Sequence, residues 1–136
     1  MTTDENKDIV RRFYRAFENN DQETLKEVLA ADLVAYNPDP QNRDEHLQGI
    51  SGWNAAFGDN RFEIVEQIAE GEAVASHVIL RSTHSQADYQ GVSPTGKRIE
   101  VGAVTIERIK GGKIVERRVY SDRLAILRQL GLLPHS

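Results

Sequence analysis

The strongest constraint on the fold is a change of hydrophobic pattern near Phe62. Before it, apolar residues recur three or four positions apart, as they do on one face of a helix. After it come long runs rich in valine and isoleucine: RFEIVEQIAE, AVASHVILRSTHS, KRIEVGAVTIERIK and KIVERRVYS. Glycine- or proline-containing turn sequences separate them. The second half is therefore predicted to be a meander of long antiparallel strands.

The first half predicts helices around one short strand. Thr2 and Glu5 have capping-box spacing, and the apolar residues behind them predict a helix over residues 4–18. A second helix is predicted over about 22–30, followed by a strand in DLVAYNPDP that ends at two prolines. Asn42 and Glu45 begin a third helix, which carries His46, Ile50, Trp53 and Phe57 as one stripe. The chain ends with a short leucine-rich helix before Gly131 and Pro134.

This order of elements predicts one α+β domain over residues 1–136. One strongly curved, mixed or antiparallel sheet is expected, with the helices packed on its concave face. Helices laid across the hollow side of such a sheet leave a conical cavity, where ligands commonly bind.

Composition excludes several classes of function. The formal net charge is −4, which does not favour nucleic acid. No apolar run reaches the roughly 18 residues of a membrane span, and the polar N-terminus does not resemble a secretory signal, so a cytoplasmic protein is expected. The chain has no cysteine and no metal-binding motif. Any chemistry is expected to be acid/base chemistry without a metal.

Three segments carry a family resemblance: NKDIVRRFYRAFENND at the start, residues 82–100 and residues 109–134. They resemble the SnoaL-like polyketide cyclases of the NTF2-like superfamily. The resemblance implies an NTF2-like cone, a homodimer, no cofactor and a small apolar or aromatic carbonyl ligand. The activity it implies is ring closure by intramolecular aldol condensation, as in an ester cyclase, or a related isomerase or lyase reaction.

The resemblance assigns the catalytic acid/base to Asp122, which lies ahead of the Gln129-Leu130-Gly131 segment. The alternative is that Asp122 only caps the last helix. The family hairpin often reads Glu-His-Trp, whereas this chain has Glu116 followed by Arg117 and Arg118. A regular strand places Arg118, Tyr120 and Asp122 on one face and Arg117 on the other, and either parity sends one arginine towards the cone.

Two histidines are further catalytic candidates. His46 points inward on the stripe of the third helix, although a satisfied core histidine is the plainer interpretation. His84 lies on the strand that matches the family's Thr-His segment, with a hydrogen bond to the next turn as its alternative. The predicted ligand-binding residues are Tyr14, Tyr36, Trp53, Arg118 and Tyr120.

Three functions remain open at this point. The first is a cofactor-free cyclase or isomerase acting on a polyketide-like carbonyl compound. The second is a non-catalytic domain that binds a small ligand or mediates dimerisation. The third is an epoxide hydrolase-like enzyme, which needs two inward carboxylates around one arginine; the candidates are Asp122, Glu107 or Glu116 with Arg108 or Arg118, and Tyr36 or Tyr120 as proton donor.

Overall fold

The computed structural model describes residues 1–132. The elements in chain order are α1 (Thr3–Glu18), α2 (Gln22–Val28), β1 (Leu29–Tyr36), β2 (Pro40–Gln41), α3 (Arg43–Ala56), β3 (Phe57–Glu70), β4 (Ala73–His84), β5 (Arg98–Lys110), β6 (Lys113–Ser121) and α4 (Arg123–Gln129). Within the described residues, no helix is long and apolar enough to cross a membrane.

The strands form one six-stranded sheet in the order β2-β1-β6-β5-β4-β3. Neighbours from β3 to β6 are antiparallel hairpin partners. Strand β1 joins the other side of β6 in parallel, and β2 pairs antiparallel with β1. The β5–β6 hairpin turns at Gly111 and Gly112, whose φ angles of 58° and 78° suit glycine.

Helix α1 is held by its N-terminal cap and by its apolar face. Thr2 accepts from the Glu5 N–H while Glu5 accepts from the Thr2 N–H, which completes the predicted capping box. Val10, Phe13 and Tyr14 on its inner face are buried in the main core. That core also includes Leu25 of α2 and residues from the central strands, so the helix lies across the hollow side of the sheet.

The α+β class and the mixed, curved sheet predicted from the sequence are confirmed. The boundaries differ in two places. Strand β3 begins at Phe57 rather than near Phe62, since Phe57 is already extended where it caps α3. Helix α2 ends at Val28 rather than near residue 30, and β1 begins at Leu29 rather than at Asp32. Pro134 lies outside the described residues.

Candidate active site

A cavity of about 570 Å³ lies between the sheet and the helices. Its volume is within the range of small-molecule sites. Much of its wall is apolar or aromatic, including Phe17, Trp53, Phe62, Leu80 and Ile126. Among its polar residues, Tyr14, His46, Thr105 and Arg117 form an inner group joined by hydrogen bonds, and the others include Asn37, Asp88 and Arg123.

Arg117 is the cationic centre of the inner group. The side chain lines the cavity, yet the residue is only 4% exposed. Its guanidinium carbon lies 4.4 Å from the centre of the Phe13 ring, a cation–π contact. Its Nε lies 3.0 Å from Oε2 of Glu107, which is completely buried on β5. The Nε–H bond does not point at this oxygen, so neither atom has a hydrogen-bond partner and the contact is an ion pair only.

A chain of hydroxyl groups connects Glu107 to the cavity. Thr105 donates to Oε1 of Glu107 at 3.2 Å, and the Tyr14 hydroxyl lies 2.6 Å from the Thr105 hydroxyl. Arg117 Nη2 donates to the Tyr14 oxygen at 3.3 Å. Since Thr105 gives its proton to Glu107, Tyr14 must donate to Thr105.

Burial shifts the proton affinities of this chain. Loss of hydration raises the pKa of Glu107 to about 7, although the adjacent Arg117 charge opposes the shift. Burial, with the Glu107 charge, also raises the pKa of Tyr14 to about 12, so its phenol stays protonated at neutral pH. Glu107 can therefore exchange a proton near neutrality while Tyr14 remains a donor.

His46 is held as a neutral acceptor. Its Nε2 lies 3.3 Å from Arg117 Nη1, and its Nδ1 lies 3.1 Å from Oε1 of Gln41. An arginine N–H can only donate, so His46 carries its proton on Nδ1 and turns its lone pair towards Arg117. Burial and the Arg117 charge lower its pKa to about 3. The geometry makes His46 a positioning residue for Arg117.

Trp53 lines the cavity and is held by buried polar residues. Its Nε1 donates to Oδ1 of Asn60 at 2.9 Å, and Ser82 donates to the same oxygen. The indole stacks on Phe57 with ring centres 4.0 Å apart, and Tyr89 meets both rings edge-on. A rigid aromatic wall of this kind suits a flat ligand.

His84 does not line the cavity. It is fully buried, and its Nε2 lies 2.9 Å from the Ala87 carbonyl while its Nδ1 faces Thr95 at 3.4 Å. This matches the alternative given for His84, a hydrogen bond to the following turn. Its contacts hold both ends of the β4–β5 connection, which places Tyr89 against the cavity.

Asp122 is exposed and caps α4. Its Oδ1 accepts from the Ala125 N–H at 3.0 Å, and the residue is not among those lining the cavity. Its neighbours Ser121 and Arg123 do line the cavity. The strand parity explains this, since β6 directs Arg117, Val119 and Ser121 inward.

The same parity places Arg118 and Tyr120 on the outer face of the sheet. Arg118 lies over the ring of Tyr36 at 4.2 Å and pairs with Glu116, while Tyr120 is 60% exposed. Of the five predicted ligand-binding residues, Tyr14 and Trp53 line the cavity, whereas Tyr36, Arg118 and Tyr120 do not.

The two inward carboxylates required by the epoxide hydrolase hypothesis are not found together. Over residues 1–132, Glu107 is the one buried acidic side chain. Glu116 pairs with Arg108 and Arg118 on the outer face, and Asp122 caps α4. The two arginines of that hypothesis, Arg108 and Arg118, both pair with Glu116 and do not line the cavity, so the arrangement that it needs is absent from this part of the chain.

Thr105 and Glu107 were not among the residues predicted from the sequence for the cyclase site. The signal was present, since Thr105, Glu107 and Ile109 alternate with exposed or partly exposed residues on β5 and take the inward parity of Val101. A charged residue in such an inward series needs a buried partner, and Arg117 lies opposite it in the β5–β6 register.

Comparison with known proteins agrees with this architecture. IdmH from Streptomyces antibioticus, a candidate polyketide cyclase, superposes with a TM-score of 0.83 at 31% identity, covering 93% of this chain and 98% of IdmH. AclR from Streptomyces galilaeus, a candidate hydroxylase, gives a TM-score of 0.90 at 27% identity over 98% of this chain and all of AclR (100%).

A curated sequence and a family profile add to the structural match. The aklanonic acid methyl ester cyclase DnrD from Streptomyces peucetius is 25% identical over 130 residues, which are 91% of this chain and 89% of DnrD. The profile of the SnoaL-like polyketide cyclases matches residues 7–130. This chain therefore belongs to the SnoaL-like polyketide cyclase family.

Proposed function

We propose that this protein is a cofactor-free cyclase or isomerase that acts on a polyketide-like carbonyl compound in the cavity. Family membership supports a function of the cyclase or isomerase type. The observation that carries the proposal is the inner group itself, in which the guanidinium of Arg117 and the hydroxyl of Tyr14 lie together beneath apolar walls. A guanidinium donor stabilises the oxyanion of an enolate most strongly where water is excluded, and the Tyr14 hydroxyl leads from the cavity to Thr105 and Glu107.

The proposed reaction is an aldol ring closure. A proton leaves the carbon next to one carbonyl, and that carbon bonds to the carbon of a second carbonyl within the same molecule. The second carbonyl oxygen then takes up a proton, so the product has the composition of the substrate. Arg117 holds the enolate oxygen, and Tyr14, Thr105 and Glu107 carry the proton in both directions.

The first prediction concerns the Tyr14 hydroxyl. Aklanonic acid methyl ester and related aromatic carbonyl compounds are incubated with the protein, and products of unchanged mass are sought by liquid chromatography and mass spectrometry. Tyr14→Phe should lower kcat by about 10²- to 10⁴-fold, the usual contribution of a positioned proton donor, with a smaller change in KM.

Tyr120→Phe is the matched control, because it removes the same hydroxyl from the outer face. It should leave kcat unchanged. Full activity of Tyr14→Phe on a converted substrate would refute the proposed mechanism. Tight binding of these compounds without any conversion would favour the alternative of a non-catalytic ligand-binding domain.

We place the protein in the cytoplasm as a single domain, and we propose a homodimer that pairs through the outer face of the sheet. Apolar exposure supports the dimer, since Val104 and Tyr120 lie opposite each other in the β5–β6 register and are 43% and 60% exposed.

A further inference from the structure

We infer that the ligand of this cavity carries an ionised oxygen, either a carboxylate or an ionised enol, which binds Arg117 while Glu107 takes up a proton. The inference rests on the proposed function and names the chemical class of its substrate. It depends on three features of the inner group: the donors that Arg117 presents, the charges around it and the poor fit of its ion pair.

The Arg117 guanidinium has more N–H groups than it has partners among the described residues. A guanidinium has five N–H bonds in a fixed plane. Within the described residues its nitrogens meet three partners: Glu107, His46 and Tyr14. The contacts with His46 and Tyr14 are both long, at 3.3 Å, so either bond can give way to a shorter, charge-assisted bond to a ligand oxygen.

The charge of this group is controlled by Glu107. The titratable side chains that face it are Arg117 from β6 and Tyr14 from α1, and His46 from α3 lies behind Arg117. Tyr14 and His46 are both neutral near pH 7, as their shifted pKa values require. On β4, the residue paired with Glu107 is Val74, which has no charge. Together with Glu107, the inner group is therefore neutral when Glu107 is ionised and carries one positive charge when Glu107 is protonated.

Glu107 is a poor partner for Arg117 and is easily protonated. The closest atoms are 3.0 Å apart, but neither makes an aligned hydrogen bond, and the carboxylate has no exposure to water. Burial already holds the pKa of Glu107 at about 7. A ligand anion at Arg117 would repel the carboxylate charge and raise that pKa further. Protonation of Glu107 then leaves the arginine with one anionic partner, the ligand. If that partner is an ionised enol, it is already the nucleophile of the proposed ring closure, and Glu107 holds the proton that the second carbonyl oxygen takes up.

Anthraquinone carboxylate, its methyl ester and an acidic cyclic triketone are suitable probes. The first two differ in charge and by one methyl group, and the triketone supplies an ionised enol in place of the carboxylate. Isothermal titration calorimetry between pH 6 and 9, in buffers of different ionisation heat, measures both affinity and proton uptake. We expect at least one anion to bind at least about tenfold more tightly than the ester at pH 6.

The pH dependence of anion binding should show the coupled proton. Above neutrality the dissociation constant should rise by about tenfold per pH unit, because one proton must be taken up for each ligand bound. Binding of the carboxylate alone would identify the ionised oxygen as a carboxylate, and binding of the triketone alone would identify it as an enol. Equal binding of the acid and the ester, or binding of neither anion, would overturn the inference.

Substitutions of Glu107 and Arg117 test the roles of these two residues separately. Glu107→Gln should keep anion binding but abolish proton uptake and its pH dependence. Arg117→Met would leave Glu107 without its partner and endanger folding, so the double variant Glu107→Gln, Arg117→Met is used, and it should bind acid and ester equally. Arg108→Met removes an arginine that is paired with a glutamate on the outer face. It should change neither the preference for the anion nor the proton uptake.

The result is independent of turnover. Anion-selective binding without conversion of any substrate would leave the inference standing and refute the proposed function. Conversion of neutral esters without anion-selective binding would support the proposed function and overturn the inference about the ligand.

Discussion

At the scale of single residues, Asp122 shows how a family position and a local role can coincide. The resemblance gives it the acid/base role, while the structure shows an N-cap bonded to the Ala125 N–H. Asparagine caps helices as well as aspartate but cannot take up a proton at neutral pH. Because the proposed proton path runs through Tyr14, Thr105 and Glu107, Asp122→Asn should keep both its unfolding free energy and its kcat.

Asp122→Ala provides the contrast for this prediction. It should lose about 1 kcal/mol in urea unfolding, because α4 loses its cap, and retain kcat while folded. A large fall in kcat for a fully stable Asp122→Asn would restore the carboxylate to the catalytic role that the family position implies.

Residues also show where prediction from sequence reached its limit. His46 and Trp53 were expected to point inward from α3, and both line the cavity. The two-residue period of a strand did not show which side chains of β6 face the cavity, because either Arg117 or Arg118 could have faced inward. The register with β5 decides it, since Arg117 pairs with Glu107 across the hairpin. That contact depends on tertiary packing, which spacing within one strand does not report.

At the scale of elements, the long hairpin β5–β6 has two functional faces. Its concave face carries Thr105, Glu107 and Arg117, and its outer face carries Val104 and Tyr120. The overall α+β class could be predicted from the sequence because these strands alternate apolar and polar residues. The parallel pairing of β1 with β6 could not be located from sequence, because DLVAYNPDP contains no signal for its neighbour.

The proposed dimer is tested on the outer face of this hairpin. Val104→Glu would place a charge beside Tyr120 and His77 on the neighbouring strands. Burying that charge in an interface is costly, so light scattering after gel filtration should show the wild type as a dimer and the variant as a monomer. Leu124→Glu on α4, at an exposed apolar position off the sheet, should remain dimeric. A monomeric wild type would contradict the proposal.

At the scale of the whole molecule, the inner group predicts two opposite effects of pH on stability. Folding raises the pKa of Glu107 from 4.5 to about 7, so its contribution to stability is full below pH 4.5 and is lost as pH rises to 7. Folding lowers the pKa of His46 from 6.5 to about 3, so its contribution is present above pH 6.5 and is lost as pH falls towards 3. Between pH 4.5 and 6.5 the two slopes oppose each other in the wild type.

Substitution of Glu107 should leave only the pH dependence of stability that His46 contributes, and substitution of His46 should leave only that of Glu107. Relative to the wild type, Glu107→Gln should become more stable as pH rises from 4.5 to 7, and His46→Gln should become more stable as pH falls from 6.5. Each difference should exceed about 1.4 kcal/mol across its window, since each shift exceeds one pKa unit. Urea unfolding at several pH values measures both differences, and each variant serves as the control for the other. Difference curves that are flat, or that slope in the same direction, would show that these two groups do not titrate in the folded protein as the geometry of the inner group requires.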